Sequence, residues 1–173
     1  MITATTRADI NVRAATYCID RLRELWPAWD ENPRWVKAKL LQRTDPDTLT
    51  KERNTTTIAL HESIVDALDG QSVDIAVSHL AIGDSDTQPA SGDRQLNSEQ
   101  GRFSVTDQSD NGDSLFTFTL LDTSEANGVT IQEIGLTTGS NSEDILNHSL
   151  ISDIPKDDER TGSIEVTLSF APA

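Results

Sequence analysis

Residues Ser114–Leu136 read SLFTFTLLDTSEANGVTIQEIGL, and two alternations inside this stretch decide the fold class. Phe116, Phe118 and Leu120 alternate with threonines, and after a turn-rich Glu125–Gly128 so do Val129 and Ile131 with polar neighbours. A side-chain period of two puts one row of residues on each face of the backbone, so both runs read as half-buried strands. The alternation slips at Glu133, beyond which Ile134 and Leu136 carry the apolar side in the opposite phase. A bulge of one residue produces such a slip. The acid that sits there needs a partner if the strand buries it.

The same pattern extends in both directions. Phe103 and Val105 open a strand, the stretch Asp107–Asp113 turns around Asn111-Gly112, and the chain returns through Phe116–Leu120 as a hairpin. Val73, Ile75 and Val77 alternate, with a break near Ser78-His79 that transfers the apolar side to Leu80 and Ile82. Gly83–Asp93 is a loop by composition. Ile145–Ile151 is a short apolar run, and Ile164, Val166, Leu168 and Phe170 give a clean period of two.

Helical spacing comes earlier in the chain. Ala15, Cys18, Ile19, Leu22, Leu25 and Trp26 form one helical stripe, with Asp9 or Asn11 as cap and Pro27 as its end. Asn32-Pro33 restarts a short helix whose apolar side is Trp35, Val36 and Leu40, closed by Thr44–Asp47. A third helix spans Thr57–Leu68, with Leu60, Ile64, Val65 and Leu68 on one face and Gly70 as its stop. The expected fold is therefore α+β and mainly β: a helical N-terminal segment, 1–53, followed by an antiparallel β-sandwich-like domain, 54–173.

Charge divides the chain at the same place. Lys and Arg number ten against eight Asp and Glu over residues 1–53, and four against twenty-one over 54–173, within a net charge of −15. An acidic, Lys-poor surface suits high salt, where a screening length of about 3 Å at 1 M removes the self-repulsion. It argues against nucleic acid as a partner, since phosphate affinity needs a basic footprint. No apolar run reaches the roughly 18 residues of a membrane span, and MITATTRADINVR lacks the pattern of a secretory signal.

Chemistry-bearing motifs are sparse. The one cysteine, Cys18, lies on the apolar stripe and reads as core; His61, His79 and His148 have no ligand spacing. Asp84–Asp86 and Asp107–Asp113 hold oxygen ligands at short spacing but lack the closing Glu of a calcium loop. No nucleophile elbow or phosphate loop is present. The expectation is a non-enzyme with no catalytic residues, no metal and no cofactor. Trp26, Trp29 and Trp35 fall within ten residues of one another, more indole than two short helices bury; they either pack on the following domain or, the expectation carried forward, anchor the chain in a partner.

Three blocks carry a resemblance. The first is Ile82-Gly83-Asp84 with Pro89, Asp93, Leu96, Glu99 and Arg102. The second is Glu125-Ala126-Asn127-Gly128 with Ile131 and Glu133-Ile134-Gly135-Leu136. The third is His148-Ser149-Leu150 with Ile154-Pro155-Lys156 and the alternating strand Ile164–Phe170. In this order they resemble the N-terminal docking domain of tail-fibre and tail-collar proteins of tailed phages, over about residues 57–171. The resemblance implies a structural protein of a virion, docking a fibre or short spike onto a tail or baseplate as a homo-oligomer, a trimer favoured. It also implies an ion pair between Glu133 and Arg102. Capsid turret, head-fibre or neck placement is an alternative, as is a host-glycan-binding module, although residues 54–173 offer only four phenylalanines as aromatics, all on core faces. With the acidity, the expected source is a tailed virus of a haloarchaeon, assembled in the host cytoplasm.

Overall fold

A computed structural model describes residues 6–73, 75–141 and 144–172. In chain order the elements are β1 (Thr6–Cys18), α1 (Ile19–Leu25), α2 (Arg34–Leu41), β2 (Thr48–Thr56), α3 (Ile58–Leu68), β3 (His79–Gly83), β4 (Glu99–Ser104), β5 (Asp107–Asp110), β6 (Ser114–Leu121), β7 (Val129–Thr137), β8 (Asn147–Lys156) and β9 (Arg160–Pro172). The nine strands hydrogen-bond in the order β4-β3-β7-β8-β2-β1-β9-β6-β5, every pair antiparallel. The fold is α+β and mainly β, as the period-two runs require.

The sheet folds over on itself. β2 and β8 share only the pairs Thr55–His148 and Thr56–Asn147, and there the strand order passes from one half of the sandwich to the other. At the far side the outermost strands, β4 and β5, are separated by Val105 and Thr106 alone. Those two residues bridge the layers, Val105 N–H donating to the Ser78 carbonyl (2.9 Å) and Thr106 N–H to that of Phe118 (2.8 Å). Between the layers lies a core that includes Ile10, Val12, Leu80, Ile82, Leu121, Ile131, Ile134, Ile154, Ile164 and Val166. Each such side chain, fully buried, contributes roughly 1.5–3 kcal/mol.

A second core lies on the outer face of the β1–β9–β6 layer. Phe118 and Leu120 of β6 point away from the sandwich interior and are covered by Leu22 of α1, Trp29 of the turn that follows it, and Ala38 and Leu41 of α2. Alternation along β6 thus serves two cores, Leu115 and Leu121 feeding the first and Phe116, Phe118 and Leu120 the second.

Several expectations are corrected. The stripe from Ala15 to Trp26 is strand up to Cys18 and helix only from Ile19. Ile10, Val12 and Ala14 alternate inward, and a thirteen-pair ladder to β9 outweighs the helical spacing. The Asp9 or Asn11 cap therefore does not exist, and Cys18, at the strand's end, is exposed. The boundary at 53/54 falls inside β2, so residues 6–53 contribute β1 and most of β2 to the sandwich rather than a separate helical segment. On α2 the buried residues are Lys37, Ala38 and Leu41, whereas Trp35 faces outward. Residues Val73–Val77 form no strand among those described. Phe103 belongs to β4, which pairs with β3, and the hairpin is β5–β6 around Asn111-Gly112, with Gly112 at φ +87°. The slip at Glu133 is present as a register shift between β7 and β8.

Candidate functional site

Glu133 projects from β7 into the protein and is completely buried. Its carboxylate accepts the backbone N–H of Ser98 at 2.7 Å and of Asn97 at 3.0 Å, and Oε2 lies 2.8 Å from Nε2 of His148. The imidazole, also buried, places its Nδ1 2.7 Å from Oδ2 of Asp93, which in turn accepts the Ala90 N–H at 2.7 Å. One histidine thus bridges two carboxylates. Ionised carboxylates only accept, so the two bonds require two protons shared among three titratable groups. Burial works against ionisation of Asp93, but the bonds from Ala90 and His148 outweigh it and hold its carboxyl below the ordinary value.

Local sequence builds this knot. Asn147–Lys156 supplies His148 from β8 opposite β7, the bulge turns Glu133 inward, and the long loop Asp84–Ser98 brings Asp93 and two N–H groups over both. Gly83 makes the space: a Cβ there would lie 2.4 Å from Glu133 Oε1 and 2.6 Å from the Ser98 carbonyl. Residues 84–98 have little regular structure of their own, so these bonds are what pins the loop.

The expected Glu133–Arg102 pair is not formed. Arg102 donates to the two oxygens of Glu99 at 2.7 and 2.9 Å, three residues back along its own strand, and Glu133 is satisfied by His148 and the Asn97 and Ser98 N–H groups. In the sequence His148 was one of three scattered histidines and the start of the third block, with no partner assigned, because its role depends on β8 lying against β7.

A second polar cluster locks the turn-rich stretch at Glu125. Arg34 of α2 donates to both oxygens of Glu125 (2.8 and 2.9 Å), and Lys37 to Asp122 at 3.0 Å while its Nζ sits 5.5 Å from the centre of the Trp29 ring. Buried Lys156 donates to Asn127 (3.0 Å) and to the Asp157 carbonyl (2.7 Å), and burial lowers its pKa despite the surrounding acids. Ala126 at φ +55° and Gly128 at φ +79° shape the turn that makes this possible.

The tryptophans separate. Trp29 is wholly buried against the second core, which removes it from any interface. Trp26 is half-buried, its Nε1 3.4 Å from Thr44 Oγ1, and only Trp35 is largely exposed, at 63%. Two open depressions, about 350 Å³ beside Val77, Val105 and Gln108 and about 410 Å³ beside His61, Glu62, Val65 and Asp66, contain none of the knot residues. No described helix is long and apolar enough to cross a membrane. Comparison of the chain with family models, with curated proteins and with solved structures found no match.

Proposed function

We propose that this chain is a structural protein of a tailed virus particle, a homo-oligomeric piece of the tail or baseplate that forms the base of a fibre or short spike, and that it is not an enzyme. One observation carries the reading. The three blocks that resemble tail-fibre docking domains, tens of residues apart, converge on a single knot of Asp93, Glu133 and His148 beside Gly83. Its central groups are 0% and 1% exposed, so the charged chemistry faces the protein and holds a loop to a sheet. A buried acid–base pair that cannot meet a substrate is a positioning device for structure, whereas a catalytic pair needs reach to the reacting atoms. The acidic exterior matches a particle component standing in brine.

The test is location. Protein identification and antibody-labelled electron microscopy of purified particles are expected to find the chain at the tail, in a fixed copy number per particle. Label on the capsid or neck moves the assignment within the virion; absence from particles overturns it.

A further inference from the structure

Helix α3 is apolar well beyond the side it buries. Leu60 and Ile64 pack on the sandwich core and Ala59 is buried, yet Ile58, Val65 and Leu68, at spacings of seven and three, stand 43%, 62% and 84% exposed. Single exposed apolar residues are ordinary, but an apolar arc that continues from the buried side of a helix round to its exposed side is wider than one core contact needs. Beside the outer stripe run Glu62, Asp66 and Asp69, and from Ile58 to Asp69 there is no Lys or Arg. Glu62 is paired with Arg94, so Asp66 and Asp69 are the acids left beside the stripe. Two α3 faces brought together about a two-fold axis would set these against their own copies, which disfavours pairing of the helix with itself.

The outward side of α2 differs from it in charge. Trp35 is exposed there, and residues 34–43 carry Arg34, Lys37, Lys39 and Arg43 with no acid. Arg34 and Lys37 are engaged with Glu125 and Asp122, and Lys39 with Asp107, which leaves Arg43 as the exposed cation of this stretch with no ion pair to the described residues. The two patches belong to different parts of the fold: α2 covers the outer face of β6, while α3 packs on the core between the layers.

We infer that these surfaces bind each other between copies, the α2 patch of one chain seated on the outer face of α3 of the next. Exposed Trp and Arg are favoured at such contacts, and the occupant is a second copy because it brings an indole and a cation to an apolar, acidic face. Unlike surfaces repeated head to tail close into a ring or run on as a filament. The inference rests on the homo-oligomeric reading above and supplies its geometry.

The full chain at molar salt is measured by light scattering, alone and as two variants at exposed positions, Trp35→Asp and Leu68→Asp, with Trp35→Ala and Val65→Ser as a milder pair. Wild type is expected to assemble and each variant alone to fall to the mass of one chain. An equimolar mixture of the two is expected to give two-chain particles and nothing larger, since each retains one working face. Monomeric wild type, assembly undiminished in either variant, or a mixture that stays monomeric would overturn the proposal; assembly lost in one variant only indicates like-with-like contact through the patch altered in that variant. Failure here leaves the tail reading intact if the chain is still found in purified particles, and absence from particles leaves this contact intact if the mixture dimerises.

Discussion

Glu133 is a charge the fold cannot leave alone. Removing one member of a buried, hydrogen-bonded charged network costs about 3–5 kcal/mol, against about 1 kcal/mol or less for an exposed ion pair. Glu133→Gln is therefore expected to lower the unfolding free energy by roughly 3 kcal/mol in denaturant titration, and Arg102→Gln, in a partly exposed pair with Glu99, by less. Equal costs at the two positions would show that the His148 knot does not hold the loop. Asp93 adds a pH signature. Its folded pKa is depressed, so the stabilisation is complete above the ordinary carboxylate value of about 3.9 and disappears as pH falls through the folded value. Stability of wild type and Asp93→Asn, followed by urea midpoint from pH 7 downward, is expected to differ most at neutral pH and to converge in acid. A gap that stays constant would mean that the Asp93 charge contributes nothing.

Among the elements, β1 has the least transparent sequence and the greatest structural weight. It sits inside the sandwich between β2 and β9, pairing from Thr6–Pro172 to Cys18–Arg160. Its period-two row, Ile10, Val12 and Ala14, was present in the sequence, but the i, i+3, i+4 spacing of Ala15, Cys18, Ile19 and Leu22 overlapped it and favoured a helix. β2 gave no signal at all, since TLTKERNTT has a single large apolar residue and that one, Leu49, is exposed. A chain lacking residues 1–53 is accordingly expected not to fold, with loss of the cooperative thermal transition and of near-ultraviolet circular dichroism. A truncated chain that melts cooperatively would restore the expected division into a helical anchor and an independent β-domain. By contrast β6, β7 and β9 were legible from alternation alone, and α3 from its helical spacing and Gly70, whose φ is +81°.

Across the whole molecule, charge asymmetry turns out to be complementarity within one fold. Basic residues of the first third reach acids of the rest: Arg13 to Glu165 at 2.8 Å, Arg34 to Glu125 at 2.8 Å, Lys37 to Asp122 at 3.0 Å and Lys39 to Asp107 at 2.5 Å. These pairs remove few of the excess acids from a net charge of −15, and the remainder repel one another. The screening length shrinks from about 30 Å at 0.01 M salt to about 3 Å at 1 M, so the thermal midpoint is expected to climb as KCl is raised over that range. Scanning calorimetry at stepped salt checks this; a midpoint that falls or stays flat would show that surface repulsion is not what limits stability.

By itself the sequence determined what is local: where strands alternate, where Asn111-Gly112 turns, where α3 ends, and that Glu133 interrupts a strand out of phase. Only the tertiary structure decided that β1 is a strand, that Trp29 is core while Trp35 is surface, and that Glu133 meets His148 rather than Arg102. Each of these depends on a neighbour far along the chain. A strand's faces, and a buried charge's partner, are set by the register of whatever pairs beside it, as β9 does for β1 and β8 for β7.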